Sequence, residues 1–395
     1  MTGFKFMDTN KIKIYLISTE PSGDVIGANL INSFKRINQE KYKFNFYGVG
    51  GRKMIKAGLK KSLFPIEQLS IFGFFEVVPK LFKIFNLLSI TIKDIDKIKP
   101  DFLITIDSPD FNFRVLKRMF KKSYQVKKIH YVAPTVWVWR KNRAKILSKY
   151  ADQLLTILPF ESKYFIKHNL KTKFVGHPIF DIKIKRPKQI DKINKKYNIN
   201  GNPIILSFLP GSRHSEIIRT IPVFIRVMED LKKKFKKNVH VLLCLLPQLR
   251  KYINKYNLNF PYSIIDEDDK YYAFQKSDAA VCASGTAALE LSYFKVPTIV
   301  IYKVNSLTYL SAKLFIKVKY ANLINILRNK EIIPEFIQFK CKPKLIVSRL
   351  IMLFKNKNYR NKQLLEAKKT IPLLKANKKL PSINAANEIL KMDKF

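Results

Sequence analysis

Residues 203–213 read PIILSFLPGSR, an apolar run rich in β-branched residues that stops at Pro-Gly. A run this short, apolar without alternation, predicts a strand covered on both faces, as in parallel sheet. The phrase recurs downstream as VHVLLCLLP (239–247), YSIIDED (262–268), DAAVCASGT (278–286) and VPTIVIYKV (296–304). It also occurs upstream, as IKIYLIS (12–18), FNFYGVGG (44–51), DFLITIDSPD (101–110), KIHYVAPTVW (128–137), ADQLLTILPF (151–160) and the shorter FVGHP (174–178). Helical stretches lie between these runs. The pattern predicts an α/β chain of two Rossmann-like, doubly wound domains facing a central cleft.

The expected divisions are an N-terminal domain at 1–180, a Lys-rich linker at 181–202 and a second domain at 203–365. A C-terminal helical segment at 366–395 is a candidate to pack back on the first domain. The length of 395 residues fits two domains at about 100–200 residues each. A hydrophobic content of 47% excludes wholesale disorder. The net charge of +46 suits an anionic partner such as nucleic acid, an anionic membrane surface or a phosphorylated substrate. Lys, Ile and Asn are abundant throughout, as AT-rich coding gives, so charge alone selects none of these.

Cys244, Cys282 and Cys341 are far apart and form no CxxC pair, so neither a disulfide framework nor a metal site is expected. The N-terminal residues do not read as a signal peptide, and no apolar run approaches the ~18 residues of a membrane span. Residues 62–91 break the strand rhythm. They carry Phe72, Phe74, Phe75, Val78, Leu81, Phe82 and Phe85, with Lys80 and Lys83 among them. A helix this apolar is ordinarily core, and the alternative is a surface for acyl chains or a membrane interface. Residues 309–320, YLSAKLFIKVKY, form a second basic, amphipathic stretch.

Several turns carry candidate chemistry. In LPGSR, Gly211 permits close backbone approach, Ser212 begins the turn into the next helix, and Arg213 can fork onto phosphate oxygens. In ASGTAALE, Ser284, Gly285 and Thr286 form another strand-to-helix turn suited to a pyrophosphate. Glu290 follows one helical turn after Thr286 and can accept ribose hydroxyls. An ordinary capped helix start explains either turn alone; the pair indicates a nucleotide diphosphate site. Asp107, in TIDSPDFN, ends an apolar strand where open sheets hold their sites and can accept a proton from a hydroxyl. Asp110 competes for that role, and an Asx-type turn is the plain alternative. Glu20, Ser22, Gly23 and Asp24 make a polar loop at the tip of the first strand, where helix capping is the plain alternative. Trp137 and Trp139, followed by Arg140 and Arg143, can wall a sugar or lipid pocket or simply be buried.

Taken in order, PSGDxxGA (21–28), GVGG (48–51), FGFFEVVP (72–79), IDSPDFN (106–112), HYVAPTVWVWR (130–140), LPFE (158–161), FVGHP, LPGSR and ASGTAALE resemble the lipid-A-disaccharide synthase family, glycosyltransferases of the GT-B type. Thr19 and Pro21 stand where the family usually has Gly and Ala, and His214 stands where small residues are common. The resemblance implies that UDP-2,3-diacylglucosamine donates its sugar to the 6-hydroxyl of 2,3-diacylglucosamine 1-phosphate. A β-1,6 disaccharide 1-phosphate and UDP result, by one inverting displacement without metal or other cofactor. It implies Asp107 as base, Arg213 against the departing diphosphate, Glu290 on the ribose, and Asn325 and Gln338 lining the donor site. It also implies a bacterial cytoplasmic enzyme, peripheral on the inner membrane, with the 72–85 aromatics on an anionic lipid surface. Oligomeric state is not indicated, and no nucleic-acid partner is expected. The competing readings are another UDP-N-acetylglucosamine enzyme of the same fold and, more remotely, a basic nucleic-acid binder. The first would share the 285–290 turn but lack IDSPDFN and HYVAP; the second needs a basic stripe with interleaved aromatics.

Overall fold

The computed structural model describes residues 10–37, 42–70, 77–122, 124–182, 194–235, 237–283, 285–305, 309 and 318–392. The side chains of residues 10, 70 and 77–81 are outside that description. Among the described residues the apolar runs form two six-stranded sheets, in which every pairing is parallel. The chain divides into two units. One comprises residues 1–182 and 374–395; the other is 183–373.

The first sheet holds β1 (Asn10–Ser18), β2 (Tyr42–Val49), β3 (Phe102–Ile106), β4 (Lys127–Tyr131), β5 (Gln153–Thr156) and β6 (Lys171–Phe174), in the order β2-β1-β3-β4-β5-β6. Side chains alternate across a strand, and β1 shows the consequence. Ile12, Ile14 and Leu16 enter one core with Leu30, Ile31 and Phe34 of the helix Pro21–Arg36. Tyr15 and Ile17 enter the other, with Leu88 and Ile95 of the helix Val77–Ile98 and Leu116 of the helix Pro109–Met119. Residue 48 must be glycine: its φ is 125°, and a Cβ would stand 1.9 Å from Leu16 O on the paired strand. Pro21, a departure from the family pattern, occupies the first turn of its helix, where a missing N–H costs nothing.

The second sheet holds β7 (Ile204–Leu209), β8 (Val239–Cys244), β9 (Tyr262–Ile265), β10 (Ala279–Cys282), β11 (Thr298–Tyr302) and β12 (Glu335–Ile337), in the order β12-β11-β10-β7-β8-β9. Its larger core joins Phe208, Leu243, Val281 and Ile301 to the helices His214–Lys234 and Pro343–Lys355. Ile205, Leu242, Ile265 and Ala273 pack on the opposite face.

Two strands differ from the sequence reading. The sixth strand is KTKF, and FVGHP leaves it after Phe174 for a 3-10 turn at Pro178–Asp181. Lys171 and Lys173 are exposed at the sheet edge, so this strand is half-polar rather than continuously apolar. The three-residue β12 was too short to leave a signal. The helix Val77–Ile98 divides its apolar residues: Leu87, Leu88, Ile92 and Ile95 are buried, whereas Phe82 is 77% and Phe85 48% exposed. Phe72, Phe74 and Phe75 lie outside the described residues, as do the side chains of Val78 and Leu81 and most of 309–320. Within the described residues, no helix is long and apolar enough to cross a membrane.

Candidate active site

In the first sheet the strand order reverses between β1 and β3, because β2 lies beyond β1. Ser18 is opposite Ile106, so the turns after these two strands leave from one edge. A reversal of this kind opens a crevice at the carboxyl ends, the usual ligand position in such sheets. Asp107 stands there, half-buried. Asp107 and Ser108 both adopt left-handed backbone, with φ of 52° and 44°. Each costs of order 1–3 kcal/mol for a residue with a Cβ. The turn is held by Asp107 N donating to Tyr131 O at 2.9 Å and by Asn112 Nδ2 donating to Asp107 O at 2.7 Å and Ile106 O at 3.2 Å. Ser108 Oγ and Asn112 Oδ1 are buried with no hydrogen-bond partner among the described residues.

Asp110 has a different setting. Its side chain is 75% exposed, with Oδ1 2.6 Å from Arg143 and 3.6 Å from Arg140. Ser22, Gly23 and Asp24, expected in a loop, lie instead in the first turn of the helix Pro21–Arg36; Asp24 is buried, and its carboxylate accepts from Gly51 N (2.8 Å), Lys53 N (3.0 Å) and Met54 N (3.0 Å). It therefore caps the helix Arg52–Ala57 and braces the GVGG turn. Gly23 is closely packed: a Cβ there would stand 2.5 Å from Ser18 Oγ. Of the four candidates, Glu20 is half-buried and Ser22 exposed, whereas Gly23 and Asp24 are buried.

In the second sheet the order reverses between β7 and β10, with Leu209 opposite Cys282. The turns LPGSR and ASGT leave from this point. Gly211 has φ of 129°, and a Cβ would meet Glu216 at 2.5 Å. Glu216 Oε2 accepts from Ser212 N at 2.8 Å and Arg213 N at 3.2 Å. A carboxylate of the following helix thus engages the Ser212 and Arg213 N–H groups of the turn expected to meet the diphosphate. The Arg213 side chain is left exposed. Tyr302, at the end of β11, has a raised pKa because it is buried and faces Glu216, an effect that Arg213 partly relieves. His214, another departure, lies with its ring 4.0 Å from that of Tyr252.

Gly285 opens the helix Gly285–Tyr293. A Cβ there would stand 2.6 Å from Ala321 O, so only glycine lets the 321–322 backbone approach so closely. Ser284 is outside the described residues, and Thr286 is exposed. Glu290 accepts from Lys270 Nζ at 2.7 Å and Tyr271 Oη at 3.4 Å. Burial opposes the Lys270 charge, but Glu290 and Tyr271 hold its pKa above the ordinary value. Asn325 is buried with its amide fully engaged. Its Oδ1 accepts from Ile332 N and Ile333 N at 2.8 and 2.9 Å, and its Nδ2 donates to Ile333 O and Glu335 Oε1 at 2.8 and 3.2 Å. Gln338 pairs both amide atoms with Val304 backbone at 3.0 Å. Both side chains therefore hold loops through their amides.

Three charged residues escaped the sequence reading, and a fourth, Glu161, was quoted within LPFE without a role. Glu216 sits three residues after Arg213, the capping-box spacing, which was a legible signal. Glu335 accepts from Ala321 N, Asn322 N and Asn322 Nδ2, holding the loop that covers Gly285. Lys270 is 20 residues from its partner Glu290, and Glu161 is buried in LPFE; sequence spacing signals neither. Among the described residues no group of three or more His, Cys, Asp or Glu is placed to hold a metal.

The family model for lipid-A-disaccharide synthetase matches residues 14–389. The chain belongs to this family. The lipid-A-disaccharide synthase of Rickettsia prowazekii is 39% identical over 364 residues, covering 92% of this chain and 94% of the relative. That of Rickettsia canadensis is 40% identical, covering 96% and 97%. Among solved structures, the S. aureus MnaA–UDP co-structure aligns with a TM-score of 0.63 at 13% identity, covering 98% of each chain. Acinetobacter baumannii MurG aligns at 0.53 and 12%, covering 97% and 99%. These structures share the fold of two parallel, doubly wound sheets, as expected of the GT-B type.

Proposed function

We propose that this chain is an inverting glycosyltransferase of lipid A biosynthesis, the activity for which its relatives are named. In this reading it joins UDP-2,3-diacylglucosamine to 2,3-diacylglucosamine 1-phosphate through a β-1,6 bond and releases UDP. One observation carries the proposal: the chemistry falls on the topological reversal of each sheet. Asp107 stands at one, and Arg213 with the Gly285 helix start stands at the other.

Asp107 takes the proton from the acceptor 6-hydroxyl as that oxygen forms its bond to the anomeric carbon. The bond from that carbon to UDP breaks on the opposite face, and its electron pair leaves with the diphosphate. Arg213 and the N–H groups at the start of the helix Gly285–Tyr293 meet the developing charge. Glu290, aimed by Lys270 and Tyr271, accepts from the ribose hydroxyls. Asn325 and Gln338 act on the donor through the loops they hold. Asp107 is preferred to Asp110 as base because the Asp110 carboxylate is already engaged by Arg143 at 2.6 Å and Arg140 at 3.6 Å. The exposed Phe82 and Phe85, with Lys83 between them, support peripheral contact with an anionic bilayer, the source of both acylated substrates.

The test is UDP release by purified protein given both diacyl substrates. Asp107→Ala should lower turnover by about 10²–10⁴-fold. Near-normal turnover in that variant overturns the base assignment, and no UDP release by the wild type overturns the whole reading.

A further inference from the structure

We infer that Arg140 and Arg143, ordered by Trp139, bind the phosphomonoester of the sugar that supplies the attacking hydroxyl; the inference rests on the function proposed above. β4 pairs with β3, Tyr131 lying opposite Ile106, so the loop 132–141 leaves the same edge of the sheet as Asp107. That loop ends in a strained residue, Arg140, with φ of 49°. The Arg140 guanidinium lies 4.2 Å from the centre of the Trp139 ring, and that of Arg143 lies 5.6 Å from it. Stacking on an indole fixes the plane of a guanidinium while leaving its N–H groups available.

The charges do not balance locally. One carboxylate, Asp110, faces both guanidinium groups, close to Arg143 at 2.6 Å and looser to Arg140 at 3.6 Å. Lys141 beside them is exposed. Half of the Arg140 side chain is open to solvent. Two guanidinium forks facing a single carboxylate match a group carrying several anionic oxygens, which a phosphomonoester provides and a hydroxyl or acyl chain does not. The cluster stands in the lobe of Asp107, which points to the acceptor's phosphate rather than the donor's diphosphate.

The experiment compares kcat/KM for the acceptor with and without its 1-phosphate, in wild type, Arg140→Gln, Arg140→Lys and Arg143→Gln, alongside UDP affinity by calorimetry. Wild type should prefer the phosphorylated acceptor at least ten-fold. That preference should fall ten-fold or more in Arg140→Gln and partly in Arg140→Lys, which keeps the charge but loses the fork, while UDP affinity stays unchanged. Should Arg143→Gln fail to fold, the exposed Arg140 decides the matter alone. A wild type indifferent to the phosphate, an undiminished preference in Arg140→Gln, or a loss that falls on UDP affinity instead overturns the inference. A wild type that transfers to neither acceptor overturns the proposed function as well, so the two failures are distinct.

Discussion

Glu161 lies buried in the turn after β5, its Oε2 accepting from Leu158 N at 3.0 Å and Ile157 N at 3.3 Å. Burial pushes its pKa up to about 7; the Leu158 and Ile157 bonds pull it back, and the charge of Asp107 adds to the rise. A carboxyl that holds its proton more tightly when folded stabilises the fold at low pH. That contribution is lost as pH rises from its ordinary value of 4.5 through about 7. His130 and His177, pushed down to about 3 and 4 by burial, act oppositely below 6.5, so the wild-type curve alone is ambiguous. The difference between Glu161→Gln and wild type removes the histidines. The midpoint of the variant should gain on that of the wild type between about pH 5 and pH 8; a constant gap would show that Glu161 does not titrate there. Motif strings exposed Asp107, Arg213 and Glu290 because each follows an apolar run at a glycine or proline turn. They did not reveal that Asn325 is engaged by backbone, and for Asp24, where capping was the plain alternative, they did not say which helix it caps, since those partners are set by tertiary contact.

Among the elements, the helix Val77–Ile98 is the one whose two sides demand different surroundings. Leu87, Leu88, Ile92 and Ile95 anchor it, while Phe82, Phe85 and Ile90 remain exposed. Each near-surface Lys or Arg adds about 1 kcal/mol of attraction to anionic lipid. Flotation with vesicles rich in anionic lipid at low salt should carry the protein upward, and Phe82→Ser with Phe85→Ser should weaken this several-fold. Equal flotation of wild type and double variant would remove the helix from the lipid contact. Apolar residues made ten of the twelve described strands readable, although β1, β2 and β4 carry Lys, Asn or His within the run. β6 was misplaced by three residues because its lysines face out, and β12 was missed because three residues carry no period.

At the scale of the molecule, the chain crosses from the first unit to the second and returns. Leu374 O accepts from His177 N at 2.9 Å, and Asn384 Nδ2 donates to Val175 O at 3.0 Å. The helix Pro381–Leu390 buries Ala385, Ala386 and Ile389 against the helix Pro21–Arg36. Ser382 Oγ donates to Asp181 at 2.7 Å and bonds Ser33 Oγ at 2.9 Å. Ala385→Asp would bury a charge without a partner, a cost of several kcal/mol. Both tryptophans, Trp137 and Trp139, lie in the first unit, so indole fluorescence reports its unfolding. The variant should lose roughly 6–12 °C in that signal; an unchanged fluorescence midpoint would mean that the helix adds little to the unit it joins.

The returning helix also reverses the order of maturation during synthesis. Ribosomes deliver about 5–20 residues per second, and domains commonly fold in order of emergence. Here the unit that begins first lacks part of its core until residues 385–389 are made, whereas the one spanning 183–373 is complete before then. The 183–373 unit is thus finished while its elder waits, and a ribosome stalled before residue 385 would leave that elder unit with its Leu30–Phe34 face uncovered.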